Sequence, residues 1–336
     1  MKRELFWGVI LSGISGLMLW LSFPSVSFFP LAWFGLIPYL YFILQKPSWL
    51  TTTLGHATMA CIYFGGVLYW VPRVLVVHGN INWPTAITAY VLLIAILGGA
   101  LFPFTFLVRR TAQSSRRMAL WCAPGFWVLT ELFRNYYPMN GFPWGSLGYS
   151  QFSYSWIIQL ADVGGIYLVS FLVVAANSAI LAVLMRRSFW MVSIFSMIFL
   201  IINIYGIFCH KIWKEGKETG IQVALVQPNI SLGANQDHYA KKYFEKLPEY
   251  FRKVTQEGSD WVIFPEAPNP FFYGEDFYFT NFWEREVSSQ QAYLLFNATT
   301  IAKSTSMRYF NSAILLDPQG RKTYQYNKTH LVPFGE

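Results

Sequence analysis

Only three acids, Glu4, Glu131 and Asp162, occur before His210, although the chain carries 17 acids in all. Long apolar runs fill the space between them. A soluble domain seldom holds so few charges: 54% of the residues are hydrophobic, 19% aromatic and 12% charged. The remaining acids begin at Glu215, so the composition turns over near residues 209–216. This shift divides the chain into an apolar part, residues 1–210, and a polar part, residues 217–336.

A membrane-crossing helix needs about 20 apolar residues. Seven runs approach that length, at residues 5–23, 28–44, 54–71, 86–108, 118–132, 165–184 and 189–208. The first has a second reading as a signal peptide with Lys2 and Arg3 as its basic start, although the next apolar run follows at once. Lys and Arg gather in short cytoplasmic loops. If every run crosses, Lys2, Arg3, Lys46, Arg109, Arg110, Arg116, Arg117, Arg186 and Arg187 share one side, and only Arg73 and Arg134 face the other. The N-terminus is then cytoplasmic and the polar part is delivered to the far face, the periplasm in a bacterium.

The same distribution removes the usual meaning of a net charge of +8. The cations sit at the ends of apolar runs instead of along one polar face, so no nucleic-acid partner is expected. Cys61, Cys122 and Cys209 lack metal or disulfide spacing and read as buried small apolar residues. No metal or cofactor motif is present: no HExxH, no phosphate-binding glycine loop.

Between the fifth and sixth runs lies Asn140-Gly-Phe-Pro-Trp-Gly-Ser-Leu-Gly-Tyr-Ser-Gln151. Its Gly and Pro residues break helix, and Trp144 and Tyr149 suit the membrane interface. Two readings stand side by side: an aromatic-belt loop, or a re-entrant segment in which Pro143, Trp144 and Tyr149 shape the mouth of a lipid site. Glu131 and Arg134, three apart, are placed to pair on one helix face, for function or as a helix-end pair reaching water.

After residue 220 short apolar runs alternate with charged amphipathic stretches, the pattern of an α/β domain. Strands are expected at 221–227, 261–264, 293–297, 309–316 and 320–331, with helices at 239–254 and 277–288. Glu266 follows the second strand after Pro265, where a carboxylate points into the crevice at a strand's end. Tyr326, Lys328 and His330 share one strand face by the two-residue period. Each signal alone is ordinary surface.

Together, Val262-Ile-Phe-Pro-Glu266 and Tyr326-Asn-Lys328, followed by His330-Leu-Val-Pro-Phe-Gly-Glu336, resemble the glutamate and lysine motifs of the carbon-nitrogen hydrolase superfamily. The long second motif, with Gly141-Phe-Pro-Trp144 and Gly148-Tyr-Ser-Gln151 in the apolar part, is similar to the apolipoprotein N-acyltransferase branch. The resemblance covers nearly the whole chain. It implies a multi-pass helical bundle followed by an αββα sandwich of nitrilase type, incomplete here, in a bacterial inner membrane. It also implies N-acylation of the diacylglyceryl-cysteine of a lipoprotein from a phospholipid donor, with no cofactor.

In that chemistry Glu266 is the general base, Lys328 stabilises the oxyanion, Glu336 orients the lysine or completes the pocket, and a cysteine carries the acyl group as a thioester. No cysteine follows Lys328. The expectation is therefore a C-terminally truncated, inactive chain. The alternatives are a membrane-anchored amidase or nitrilase and a non-catalytic lipid-binding remnant. A transporter would show broken spans in corresponding halves, a repeat absent from this sequence.

Overall fold

The computed structural model describes residues 2–24, 26–77, 79–137, 141–186, 189–214, 220–229, 236–266, 271–302 and 308–329. They divide into two compact units, Met1–Gly216 and Lys217–Glu336.

The first unit is helical. In chain order it comprises α1 (Lys2–Leu21), a 3₁₀ turn (Phe29–Leu31), α2 (Ala32–Gly35), α3 (Ile37–Leu44), α4 (Trp49–Val67), α5 (Val71–Val77), α6 (Trp83–Ser114) and α7 (Arg116–Tyr136). A second 3₁₀ turn (Leu147–Gln151), α8 (Ser155–Ile158), α9 (Ala161–Leu184) and α10 (Phe189–Lys214) complete it. Among the described residues, α1, α6, α9 and α10 are long and apolar enough to cross a membrane, and α4 with α5 adds a fifth span if their 48° bend lies within one crossing. The chain is a membrane protein.

Two of the seven apolar runs take other forms, each for a visible reason. Residues 28–44 are interrupted by Pro30 and Pro38, each at the start of a helical segment, and so form the first 3₁₀ turn, α2 and α3 instead of one rod. In α7, Arg117 and Glu131 bracket the apolar stretch 118–130. At 1.5 Å per residue this stretch covers about 20 Å, against a hydrocarbon core of about 30 Å.

A break inside an apolar bundle exposes backbone groups that lipid cannot satisfy. Asn177 on α9 answers the break around α2. Its Oδ1 accepts from Leu36 N at 2.8 Å, and its Nδ2 donates to Ala32 O at 2.9 Å and Val173 O at 2.8 Å. Ser15 Oγ on α1 accepts from Tyr39 N at 2.9 Å. Both polar side chains are fully buried. A third polar cluster joins α3, α4 and α6: Tyr39 Oη lies 2.6 Å from Thr105 Oγ1 and 3.0 Å from His56 Nδ1, while His56 Nε2 is 2.8 Å from Gly98 O. Because a carbonyl only accepts, Nε2 carries the proton and Nδ1 accepts.

The cysteines depart from the expectation of burial. Cys61 is exposed and Cys122 and Cys209 are half-buried. They sit on outward faces of α4, α7 and α10, where lipid tolerates a thiol as well as a packed interior does.

The second unit is a five-stranded sheet in sequential order, β1 (Val223–Leu225), β2 (Trp261–Ile263), β3 (Tyr293–Ala302), β4 (Arg308–Leu316) and β5 (Lys322–Asn327). The first three strands are parallel, and β3, β4 and β5 are antiparallel. The helices α11 (Gln236–Gln256) and α12 (Phe277–Gln290) occupy the first two crossovers. One sheet face, carrying Val262, Leu294, Phe296, Ala298, Ile314 and Leu316, is buried with Leu247, Phe251, Phe279, Trp283 and Val287 from the helices. Asp276 caps α12 by accepting from Phe279 N at 3.0 Å. Arg252 and Glu286 tie the two helices through a two-pronged ion pair at 2.5 and 2.7 Å. A helical bundle followed by a mixed-sheet α/β domain of carbon-nitrogen-hydrolase type is the fold class the motifs imply.

Candidate active site

Sheet order places the two motif fragments. β2 lies inside the sheet, held on both sides: Val226 N donates to Ile263 O at 3.0 Å and Phe264 N to Leu295 O at 2.9 Å. The strand then stops at Pro265, which lacks the N–H that would continue the ladder. Glu266 projects beyond the strand's C-terminal end, its side chain 59% exposed.

Lys328 arrives from the other direction. Its backbone N donates to Asn311 O at 2.8 Å, extending the β4–β5 pairing by one step past Asn327. Its Nζ then reaches Glu266 Oε1 at 3.0 Å, joining positions 62 residues apart in sequence.

Asn311 Nδ2 donates to the same Oε1 at 2.7 Å. Asn311 is in turn held from β3 by the Asn297 side chain, which also donates to Ser312 O at 3.2 Å. One carboxylate oxygen thus receives two donors, leaving Oε2 with no protein partner among the described residues. The Lys328 hydrogen bond, assisted by Asn311 and by the ammonium charge, holds the Glu266 carboxyl below its ordinary value against the opposing effect of partial burial. An ionised carboxylate beside an ammonium can take up a proton and can hold a developing oxyanion.

Neither asparagine was singled out from sequence. The available signal was modest: Asn is a poor strand former, yet Asn297 and Asn311 sit within strongly β-like runs. Glu336 and His330 lie outside the described residues.

The remaining candidates belong to the first unit. Pro143, Trp144 and Tyr149 are all exposed, and Trp144 packs on Trp70 with ring centroids 5.1 Å apart. The backbone among them is buried and fastened. Leu147 N donates to Glu131 Oε1 at 2.7 Å, Gly148 N to Ser170 Oγ at 2.8 Å, and Tyr63 Oη to Gly145 O at 2.8 Å. Arg134 donates to Trp144 O at 2.9 Å and Ser146 Oγ at 3.0 Å.

Glu131 and Arg134 therefore do not form the mutual pair their spacing suggests. Both are buried, at 3% and 4% exposure, and each is turned onto the loop. Trp127 Nε1 adds a donor to Glu131 at 2.8 Å. The loop supplies a backbone donor to Glu131 Oε1 and a backbone acceptor to Arg134, which reaching toward water would have made unnecessary. Glycine is required at two points: Gly145 has φ +74°, and a Cβ on Gly148 would meet Ile166 O at 2.6 Å.

Residues 15–179 match the family model of the apolipoprotein N-acyltransferase N-terminal domain, and residues 222–336 match that of carbon-nitrogen hydrolase. The chain is 30% identical to an apolipoprotein N-acyltransferase of Geobacter metallireducens, an alignment covering 97% of this chain and 64% of that protein. It is 26% identical to the protein of the same name from Aquifex aeolicus, over 97% of this chain and 70% of the relative. A third, from Vibrio cholerae, is 29% identical over 94% and 62% respectively. The chain spans less than two thirds of the Geobacter and Vibrio proteins. Both domain models are matched in one chain and relatives of this one name align across almost all of it, so along nearly its whole length the chain is similar to the apolipoprotein N-acyltransferases.

Proposed function

We propose that this chain supplies the membrane bundle and the glutamate-lysine part of the catalytic centre for N-acylation of lipoproteins, with a phospholipid as acyl donor and the α-amine of a diacylglyceryl-cysteine as acceptor. The observation that carries the reading is the 3.0 Å contact of Lys328 Nζ with Glu266 Oε1, which unites two motifs distant in sequence.

The chemistry follows from the charges. A thiol attacks the donor ester, its proton passes to Glu266, and the carbonyl oxygen gains negative charge beside the Lys328 ammonium. Collapse expels the glycerol oxygen, which takes the proton from Glu266 and leaves a thioester. The acceptor amine then attacks the thioester, gives a proton to Glu266 and releases the thiolate. Two moderate barriers replace one high one.

Asn311 keeps the carboxylate in place between steps, and Glu336 orients the ammonium. The exposed Pro143, Trp144 and Tyr149 offer a fixed apolar surface to acyl chains, because the backbone beneath them is pinned. The bundle lies in the inner membrane with its N-terminus cytoplasmic, and the sheet unit is periplasmic.

None of Cys61, Cys122 and Cys209 belongs to the unit that carries Glu266 and Lys328.

The test uses the complete reading frame containing this sequence, expressed in bacteria depleted of their own transferase. Mass spectrometry of a lipoprotein's N-terminal peptide should show a third acyl chain with the parent protein. Glu266→Ala and Lys328→Ala should leave it diacylated. Triacylation at the parent level by either variant would remove that residue from the centre.

A further inference from the structure

The buried guanidinium of Arg109 is the feature of the bundle that the reaction leaves unexplained. It is 7% exposed and permanently charged. Its Nε and Nη2 both donate to Pro47 O, at 3.2 and 2.7 Å, and its Cζ stacks 3.9 Å from the centroid of the Trp49 ring. The third nitrogen, Nη1, is buried with no hydrogen-bond partner. Among the described residues no carboxylate lies within ion-pair distance, and a buried charge without a counter-ion is costly.

The surroundings deepen the imbalance. Three consecutive residues of the α3–α4 loop meet the α6–α7 corner. Gln45 Oε1 accepts from Arg116 Nη2 at 3.4 Å, Lys46 Nζ donates to Gln113 O at 3.3 Å, and Pro47 O takes Arg109. Arg110 and Arg117 are exposed beside them. An acid does reach the next loop residue: Glu4 accepts from Ser48 N at 3.1 Å, and it follows Lys2 and Arg3. A loop-charge rule accounts for cations on one side of the membrane. It does not account for one buried without a counter-ion, with four other cations gathered around the same corner.

We propose that this corner is a binding site for a phosphate-bearing anion, the headgroup of an anionic phospholipid, with Arg109, Lys46 and Arg116 as its cations and the stacked rings of Trp49 and Phe106 beside the acyl chains. Guanidinium geometry suits phosphate oxygens, and Arg109 retains Nη1 for that contact. The ligand would hold the α3–α4 loop against the α6–α7 corner.

Native mass spectrometry of the detergent-purified chain tests this, with phosphatidylglycerol and phosphatidylcholine of identical acyl chains as probes. The unmodified chain should bind phosphatidylglycerol preferentially. Lys46→Gln with Arg116→Gln should weaken that binding by about five-fold per removed cation and leave phosphatidylcholine adducts unchanged. Arg186→Gln, which removes a cation from a different loop, should have no effect. Undiminished phosphatidylglycerol binding by the double variant would overturn the site, as would an equal loss in Arg186→Gln. Millimolar inorganic phosphate should not displace the lipid; displacement would give the site to free phosphate and overturn the lipid as occupant.

Discussion

The two units use polar side chains in opposite ways. In the bundle, Asn177, Glu131 and Arg134 are buried and bound to backbone, repairing breaks in helical structure. In the sheet unit, Glu266 and Lys328 are partly open and bound to each other at the ends of strands. Buried polar groups in the first case stabilise a shape that lipid alone would reject. Accessible ones in the second keep their charges available for chemistry. Stability and activity should therefore separate cleanly between the units.

The sharpest break in that contrast would come from Asn177. Replacing it with Leu takes the side-chain acceptor from Leu36 N, which keeps only Phe34 O, and the side-chain donor from Ala32 O, at about 1–3 kcal/mol for each group in an apolar interior. The thermal midpoint in detergent should fall well below that of the parent. An unchanged midpoint would mean that the break finds other partners, and the comparison would lose its first half.

Glu131→Ala comes next, with about 2–4 kcal/mol expected from stranding Leu147 N and Trp127 Nε1. Limited proteolysis should then cut within residues 141–151, where the parent resists. Resistance equal to the parent's would show that Gly148, Ser170 and Tyr63 suffice to hold the loop.

Asn311→Ala should reverse the pattern. It removes the hydrogen bonds to Glu266 and from Asn297 at a partly open site, so stability should change by only about 1–2 kcal/mol, while acyl transfer by the complete protein slows about tenfold, or about 1.4 kcal/mol of barrier. A variant that unfolds early yet transfers normally would invert the assignment.

The smallest effect concerns pH. Glu266 is held below the ordinary carboxylate value by Lys328 and Asn311, so the activity that needs its ionised form is lost only as pH falls through that depressed value. Removing Asn311 raises the pKa and should move the acid limb of the pH-rate profile upward. A downward movement, or none, would argue that Asn311 does not favour the charged form.

Much of this was legible in the sequence, for reasons that differ by residue. Glu266 and Lys328 could be read because together they resemble the glutamate and lysine motifs of one superfamily, whereas strand-end position and the two-residue period alone made each look like ordinary surface. Asn311 could not, because its role depends on which strand lies beside β5, and pairing is a long-range property. Arg134 looked like a partner for Glu131 because helical spacing is local; the loop that claims both lies 10 and 16 residues further on. Pro30 and Pro38 announced the broken run at 28–44, yet counting apolar residues alone disguised it. Asn177 stood out as polar within α9, but nothing in its neighbours named Leu36, 141 residues earlier.

That separation has a consequence for biogenesis. The peptide groups around α2 enter the bilayer long before the side chain that satisfies them has been made. At roughly 5–20 residues per second, a ribosome needs on the order of 7–28 seconds to travel from Leu36 to Asn177. During that interval the early segment has no permanent companion for its open amide, so its final seat in the membrane is fixed only when α9 emerges and docks. The segment around α2 is thus among the first parts synthesised, yet it is locked only after α9 has been made.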